Sequence, residues 1–356
     1  MNPRRSRLTR LLLGIVLPVG IVVALFLGWR YLWVGTDDRL VVYCAHDSVY
    51  SEEILRDFER ETGIAVSVVF DTEDTKSLGL VERIIREKDA PRCDVFWNNE
   101  LLGTMDLDER GLLEPYKGPG WQRMPAEYKD PGGRWTGFAA RLRVYIVNRE
   151  KMTAGKGVAI VTDADVATAL GSDNLSRAAI AKPLYGTTLT HYCVLWEALG
   201  ADAIKTWHRD LRARGIREVA GNATVKDLVA DGVCDFGFTD TDDFFVAKDA
   251  GKPVEMLPVT LDDGRVIAIP NTVCIIKGTS RGDAARRLVD YLLSGEIELK
   301  LANSKSRQVP LGPVDETKLP EEVRVLKRHA ARGFPLTKLT RARRDCLQWL
   351  KSEYLK

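Results

Sequence analysis

Polar side chains follow three apolar runs of this sequence, at the point where each predicted strand ends. The first run is followed by His46, the run CDVFW is followed by the tripeptide NNE that ends at Glu100, and the run CDFGFTD is followed by Thr241, Asp242 and Asp243. Ligands collect beyond the carboxyl ends of strands in open α/β sheets, so these loops are expected to converge. One histidine with several carboxylates suits a hard cation. The pattern predicts a metal site of His46, Glu100, Asp242 and Asp243.

The same loops have a simpler interpretation, because short polar side chains often cap the helix that follows a strand. Asp47, Ser48 and Asp242 each precede or begin a predicted helix. Capping and a position in a binding cleft are compatible, so both interpretations stay open at this stage.

A second group of residues has the chemistry of an anion site. The segment KPLYGTTLTH runs directly into a predicted helix, and its Gly186, Thr187 and Thr188 leave backbone N–H groups at the positive end of the helix dipole. Asn222, before another helix, is a similar donor, and Arg141 supplies a cation. An ordinary threonine cap and a surface arginine are the alternatives. The residues predicted to contact a solute are Arg141, Tyr185, Gly186, Thr187, Thr188, Asn222, Asp240 and Thr241.

Alternating strands and helices must position these loops. Apolar runs such as LVVYCA, IAVSVVF and CDVFW are separated by helical patterns, which predicts a parallel sheet covered on both faces. Two long extended runs, FAARLRVYIVN and RVIAIPNTVCIIKG, can each cross from one lobe to another. At 356 residues the chain exceeds what one hydrophobic core usually serves. We therefore predict an α/β fold with a double-stranded hinge, lobe 1 being residues 37–138 plus 265–310 and lobe 2 residues 139–264 plus 311–356.

The N-terminus has the pattern of a membrane anchor. Four arginines within the first ten residues precede an apolar run at 11–28, which is long enough to cross a bilayer as a helix. Cationic flanks stay in the cytoplasm, so residues 1–36 are predicted to place the rest of the chain at the periplasmic face of the cytoplasmic membrane. Large residues such as Trp29 and Tyr31 make a poor cleavage site, although a cleaved signal peptide remains the alternative.

The remaining cysteines and histidines carry no metal signature. None of the six cysteines forms a C-x-x-C pair, and most lie in apolar runs, so we interpret them as small buried hydrophobic residues. A disulfide between some two of them is open in an oxidising compartment, but the sequence does not choose the partners. His191, His208 and His329 lie in helical stretches at no ligand spacing and are interpreted as structural.

Composition and motifs disfavour two classes of function. The 52 basic and 50 acidic residues leave a formal charge of +2, which gives no field suited to a polyanion, so no nucleic-acid partner is expected. The sequence contains no nucleophile elbow, phosphate-binding P-loop or dinucleotide fingerprint, so it is not expected to be an enzyme.

Many segments together resemble the ferric-iron-binding periplasmic proteins of ABC importers, a group that also includes thiamine, polyamine and phosphonate binders. The resemblance runs through VVYCAHDSVYSEEILRDFERETGI, DVFWNNE, WTGFAARLRVYIVN, KPLYGTTLTH, GFTDTDDFFVA and IPNTVCIIKG. It implies a Venus-flytrap receptor whose lobes close on a solute, with an ABC permease and ATPase as partners. It also implies a possible bound iron ion with a synergistic anion.

The two halves of the family's site are matched unequally. His46 matches the family's first iron ligand, and Glu100 matches the second with a small shift. The tyrosine pair of the iron site is absent, since Asp242 and Asp243 stand in its place. The anion half is better matched, by Arg141, Gly186, Thr187, Thr188 and Asn222.

These observations predict the solute-binding subunit of an ABC importer of the ferric-iron and anion type. A binder of thiamine, polyamine or phosphonate in the same role is the first alternative. A membrane-tethered sensor input is the second, and an enzyme on the same scaffold, with His46, Glu100 or Asp242 as acid and base, is the third.

Overall fold

The computed structural model describes residues 39–71, 78–154 and 160–354. The predicted anchor at residues 1–36 lies outside these ranges. Within them, no helix combines the length and the apolar character needed to cross a membrane.

The described chain alternates strands and helices, as its apolar runs predict. The strands are β1 Leu40–Cys44, β2 Val66–Phe70, β3 Val95–Asn98, β4 Leu113–Glu114, β5 Thr136–Asn148, β6 Ala178–Ala181, β7 Arg217–Val219, β8 Phe236–Asp240, β9 Val254–Pro258 and β10 Ala268–Ile276. The helices are α1 Ser48–Thr62, α2 Leu78–Arg86, α3 Leu102–Glu109, α4 Pro119–Arg123, α5 Arg149–Met152, α6 Asp163–Leu170, α7 Gly186–Leu199, α8 Ala201–Ala213, α9 Asn222–Ala230, α10 Thr241–Asp249, α11 Gly282–Leu292, α12 Gly295–Asn303, α13 Glu321–Ala330 and α14 Thr340–Tyr354.

Two half-sheets share the long strand β5. The strand order is β2-β1-β3-β10-β5-β8-β6-β7, with β4 pairing with β10 and β9 pairing with β5. Strands β1, β2 and β3 are parallel, as are β6, β7 and β8. The first part of β5 pairs with β10, up to Leu142, and the part from Arg143 onward pairs with β8 and β9. Both extended runs of the sequence are therefore strands that adjoin the boundary between two α/β lobes.

The strand register at this boundary places two arginine side chains next to the last residue of β8. Arg141 and Arg143 are two positions apart on β5, so their side chains leave the same face of the strand. Arg143 lies opposite Asp240, the last residue of β8. Both arginine side chains thus project from β5, the strand that the two lobes share.

The C-terminal helix α14 packs along α7 and reaches across to the first lobe. Trp349 of α14 contacts Trp196 of α7, with ring centroids 5.6 Å apart. On the same helix, Arg343 donates to Asp106 and Glu109 of α3, at 3.1 Å each. The Arg343 side chain is only 10% exposed, so this is a largely desolvated ion pair between the lobes.

All six cysteines are buried free thiols in the structure, which confirms their interpretation as buried residues. His191 and His208 are also buried, each about 1% exposed, among the aromatic rings of the second lobe.

We expect Arg343→Ala to lower the free energy of unfolding by about 2 kcal/mol, because charge-assisted hydrogen bonds in desolvated positions contribute about that much. It should also give the ligand-free protein a larger radius of gyration in small-angle X-ray scattering, since the lobes lose a direct link. Arg341→Ala is the matched control, because Arg341 is 91% exposed and its ion pair with Asp345 lies within the helix. Equal urea midpoints and equal scattering for the two variants would contradict this role.

Candidate functional site

A cavity of about 80 Å³ lies between the lobes, beyond the carboxyl ends of the strands. Its volume admits several water molecules or a small polyatomic group. The first lobe contributes Asp47 and Asn99 to the wall. The other lining residues come from β5 and the second lobe: Arg141, Ala181, Lys182, Tyr185, Gly186, Thr187, Thr188, Ala220, Gly221, Asn222, Ala223, Asp240, Asp242 and Asp243.

Asp240 is the centre of a buried polar network behind the cavity. One carboxylate oxygen accepts from Arg143 Nη1 at 2.8 Å. The other accepts from Thr187 Oγ1 at 2.5 Å and from Asn222 Nδ2 at 2.9 Å. Arg143 has no exposed surface, so Asp240 compensates a charge that water cannot reach. Asp240 is therefore a structural member of the site that fixes the starts of α7 and α9.

Two helix N-termini meet at the cavity without side-chain caps. Tyr185 precedes α7, and its side chain accepts no hydrogen bond from the first turn of that helix. Gly221 precedes α9 and has no side chain that could accept one. Gly186 has φ of 60°, a conformation that glycine adopts without strain. The hydroxyl of Thr188 donates to Asn222 Oδ1, so the backbone N–H groups are what these turns offer a ligand. Two converging dipoles favour an anion.

Two cationic side chains line the same cavity. Lys182 follows β6, and Arg141 is 3% exposed. Arg141 donates to the carbonyl of Asn99 at 2.9 Å, while its Nη1 group has no hydrogen-bond partner among the described residues. A buried guanidinium with a free N–H group is a strong donor for a carboxylate or phosphate oxygen.

Acidic side chains also line the cavity. Asp240, Asp242 and Asp243 each place a carboxylate oxygen within 4.8 Å of the others. Arg141 Nε lies 3.4 Å from Asp242 Oδ2, which offsets part of this charge. Burial, together with the negative charges of Asp242 and Asp240, raises the pKa of Asp243 to about 8. Asp243 therefore holds a proton at neutral pH unless a cation replaces it.

This proton makes stability depend on pH in a definite direction. The pKa of Asp243 rises from 3.8 in the unfolded chain to about 8 in the folded one, so its contribution is complete below pH 3.8 and is lost as the pH rises through 8. Asp243→Asn stays uncharged at every pH. We expect the variant to gain stability over the wild-type protein as the pH rises from about 5 to about 9, in urea titrations. If the free energies of unfolding of the two proteins change with pH in parallel, Asp243 is not desolvated in this way.

The predicted site residues divide into those that meet at the cavity and those that do not. The solute-contact residues Arg141, Tyr185, Gly186, Thr187, Thr188, Asn222 and Asp240 all line it, as do the predicted metal ligands Asp242 and Asp243. Thr241, His46 and Glu100 are not among the lining residues. Thr241 instead accepts a backbone hydrogen bond from Leu142 at 3.3 Å.

Glu100 and His46 serve other contacts. The Glu100 carboxylate accepts from the backbone N–H groups of Leu102 at 2.5 Å and Gly103 at 2.7 Å, at the start of α3. It therefore caps the start of that helix. The His46 ring stacks obliquely near Trp97, and its Nε2 lies 3.2 Å from Gln308 Nε2. Among the described residues, neither belongs to the group of carboxylates that lie within 4.8 Å of one another, which consists of Asp240, Asp242 and Asp243.

The capping alternative for Asp47 is not seen either, since its side chain makes no cap hydrogen bond to α1. Asp242 does accept from the N–H of Asp243, at 3.1 Å, while also lining the cavity.

Sequence reasoning missed Arg143. The sequence did indicate its position, because Arg141 and Arg143 are two residues apart on one predicted strand and must share a face. What could not be seen is that Asp240 lies opposite Arg143 in the sheet.

The chain is similar to known proteins over most of its length. Residues 53–314 match the family described as bacterial extracellular solute-binding protein. Iron uptake protein A1 of Synechocystis sp. is 28% identical over 119 residues, 33% of this chain and 32% of that protein. The Fe(3+)-binding periplasmic protein of Serratia marcescens is 23% identical over 203 residues, 57% of each chain. Both alignments span less than two thirds of the relative.

Solved structures extend the similarity to the whole fold. Apo ferric ion-binding protein A of Pasteurella haemolytica gives a TM-score of 0.74 at 16% identity, covering 89% of this chain and 97% of that one. AfuA of Actinobacillus pleuropneumoniae, with bound fructose-6-phosphate, gives 0.72 at 20% identity, covering 89% and 99%. Iron-bound HitA of Pseudomonas aeruginosa gives 0.67 at 20% identity, covering 86% and 98%. These similarities show the two-lobed periplasmic-binding-protein fold.

Proposed function

Because the chain belongs to the bacterial extracellular solute-binding protein family, we propose that it captures an anionic solute between its lobes and delivers it to the permease and ATPase of an ABC importer. The observation that carries the solute class is the meeting of two uncapped helix N-termini with Lys182 and Arg141 at one cavity. A phosphate, phosphonate or carboxylate group fits this set of donors.

The acidic residues of the cavity indicate that the solute also carries a positive charge. Asp47, Asp242 and Asp243 face the same cavity as the anion donors, so a solute with a cationic part is bound better than a simple anion. Two chemistries provide such a pair of charges. One is an organic molecule with an ammonium group, and the other is a metal ion held together with its anion.

The cavity favours carboxylate over phenolate as the ligand of any metal. Tyr185 is the one tyrosine among the lining residues, and its hydroxyl donates to the carbonyl of Ala220 at 3.1 Å. A donating phenol holds its proton and is a poor ligand for Fe³⁺. The iron proteins among the structural neighbours bind their metal in the same fold, but iron in this chain would depend on Asp242 and Asp243.

Lobe closure provides the mechanism. Asp47 and Asn99 approach from the first lobe, and the helix starts belong to the second, so a solute touching both stabilises the closed form. The contact of Thr190 with Glu100, at 3.4 Å, and the Arg343 ion pair add direct links between the lobes.

Isothermal titration calorimetry tests the solute class. The purified protein is titrated with inorganic phosphate, a hexose phosphate, an aminoalkyl phosphonate, and ferric salt with and without phosphate. We expect heat from the phosphate-containing samples, and a pale protein on ferric loading, since carboxylates give no intense visible band. Binding of a purely cationic polyamine in preference to every anion would refute the proposal. Mass spectrometry of the recovered solute should show it unaltered, as a receptor requires and an enzyme does not.

The proposed location follows from the family and from the first 36 residues. Four arginines before an apolar run support an N-terminal anchor with the lobes at the periplasmic face. The protein should then remain with membranes after a high-salt wash and be released by detergent. Release by salt alone, with a mature N-terminus near residue 35, would favour a cleaved signal peptide.

A further inference from the structure

Two cysteines meet in the packing of α7 against α14. Cys193 and Cys346 have no exposed surface and belong to the same hydrophobic cluster. Three residues further along each helix, Trp196 and Trp349 are in ring contact at 5.6 Å. The two helices are antiparallel, because Gly186 and Leu189 line one cavity with Leu347 and Lys351, whereas Trp196 and Glu197 line another with Arg341 and Asp345. This register places Cys193 of α7 opposite Cys346 of α14. Burial, followed by the adjoining Cys346 thiol, raises the pKa of Cys193 well above its ordinary value.

We propose that Cys193 and Cys346 form a disulfide when the chain folds outside the cytoplasm, and that this bond fixes the C-terminal helix to the second lobe. This inference rests on the extracytoplasmic location in the proposed function, but not on the identity of the solute. The other four cysteines, Cys44, Cys93, Cys234 and Cys274, are expected to remain thiols.

The chemistry requires a disulfide oxidant, such as a periplasmic thiol–disulfide oxidoreductase or glutathione disulfide. One cysteine attacks the oxidant as a thiolate and forms a mixed disulfide, and the second cysteine displaces the oxidant's sulfur. The two cysteines lose two electrons and two protons in total, and the oxidant becomes two thiols. Because both sulfurs are buried in the folded protein, the bond must form before α14 is fully docked.

The bond would act on the link between the lobes. Arg343 lies one helical turn before Cys346, so both leave α14 on nearly the same side. Cys346 faces α7 of the second lobe, while Arg343 reaches Asp106 and Glu109 of the first. A covalent tie at Cys346 holds Arg343 in place for its ion pair.

Thiol counting on the full chain tests the proposal without any substitution. Protein exported to the periplasm is denatured without reductant, alkylated, and analysed by mass spectrometry before and after proteolysis. We expect alkylation at the four other cysteines and a cross-linked peptide pair containing Cys193 and Cys346. Alkylation at all six cysteines, or a cross-link between any other two, would overturn the assignment.

Thermal unfolding with matched variants measures the consequence. Reductant should lower the melting temperature of the exported wild-type protein by about 5 °C, since a disulfide between distant residues constrains the unfolded chain. Cys346→Ala should remove this response to reductant, and Cys234→Ala, also at a buried cysteine, should retain it. If reductant shifts wild type and Cys346→Ala equally, the bond is absent. Solute binding is measured separately, so failure here leaves the proposed function standing.

Discussion

Asp240→Ala is expected to lower the free energy of unfolding by about 3–5 kcal/mol, because it leaves the cation of Arg143 buried without its counter-charge. Arg143 is inaccessible to solvent, and Asp240 is its ion-pair partner at 2.8 Å. Thr187 and Asn222 lose their common acceptor at the same time. Urea denaturation followed by circular dichroism measures the change.

Two further variants separate charge from packing. Asp240→Ala combined with Arg143→Met removes both charges and should recover much of the lost stability. Asp235→Ala breaks the ion pair with Arg177, in which the arginine side chain is 50% exposed, and should cost under about 1 kcal/mol. If the double variant is no more stable than Asp240→Ala, the effect does not come from the unpaired arginine.

Ala223→Glu is expected to weaken binding of a phosphate-bearing solute by about 100-fold or more. Ala223 lies in the first turn of α9 and lines the cavity, so a carboxylate there would compete for the N–H groups and repel the anion. Like charges brought together in a binding site cost several kcal/mol, and about 2.7 kcal/mol corresponds to 100-fold in affinity. Calorimetry with a hexose phosphate gives the dissociation constant.

Ala223→Gln is the control, because glutamine has nearly the same size as glutamate and no charge. It should lose less than about tenfold in affinity if the charge is responsible. Equal losses for the two variants would indicate steric blocking. Tighter binding by Ala223→Glu would mean that the solute presents its positive end to α9, contrary to the proposed orientation.

The anion half of the site could be predicted from sequence because its signals are local. Gly186, Thr187 and Thr188 begin a helix, and Asn222 begins another, so each segment carries its own evidence. That both helices start at one cavity follows from the parallel pairing of β6, β7 and β8. The alternation of strands and helices was sufficient to predict that arrangement.

The positions of the predicted metal ligands were harder to predict, because they depend on where each side chain points. Glu100 follows β3, as predicted, yet its carboxylate turns back onto the first turn of α3. His46 follows β1, yet its ring lies against Trp97 and Gln308. A sequence shows which loop carries a residue, but the choice of rotamer is made by packing and by unsatisfied N–H groups nearby.

The partners of buried charges could not be predicted either. Arg143 with Asp240, and Arg343 with Asp106, join residues far apart in sequence, and no local pattern links them. The same is true of Cys193 and Cys346, whose proximity depends on how α14 docks.

The position of β10 has a consequence for how the chain reaches its native state. β10 lies between β3 and β5, although it follows β5 by more than a hundred residues in sequence. The first half-sheet therefore stays incomplete until the intervening elements of the second lobe, from α5 to β9, have been made and have crossed the membrane. Pairings this distant in sequence slow folding and leave strand edges open meanwhile. Transit to the periplasm should accordingly depend on chaperones that shield β3 and β5 until β10 arrives.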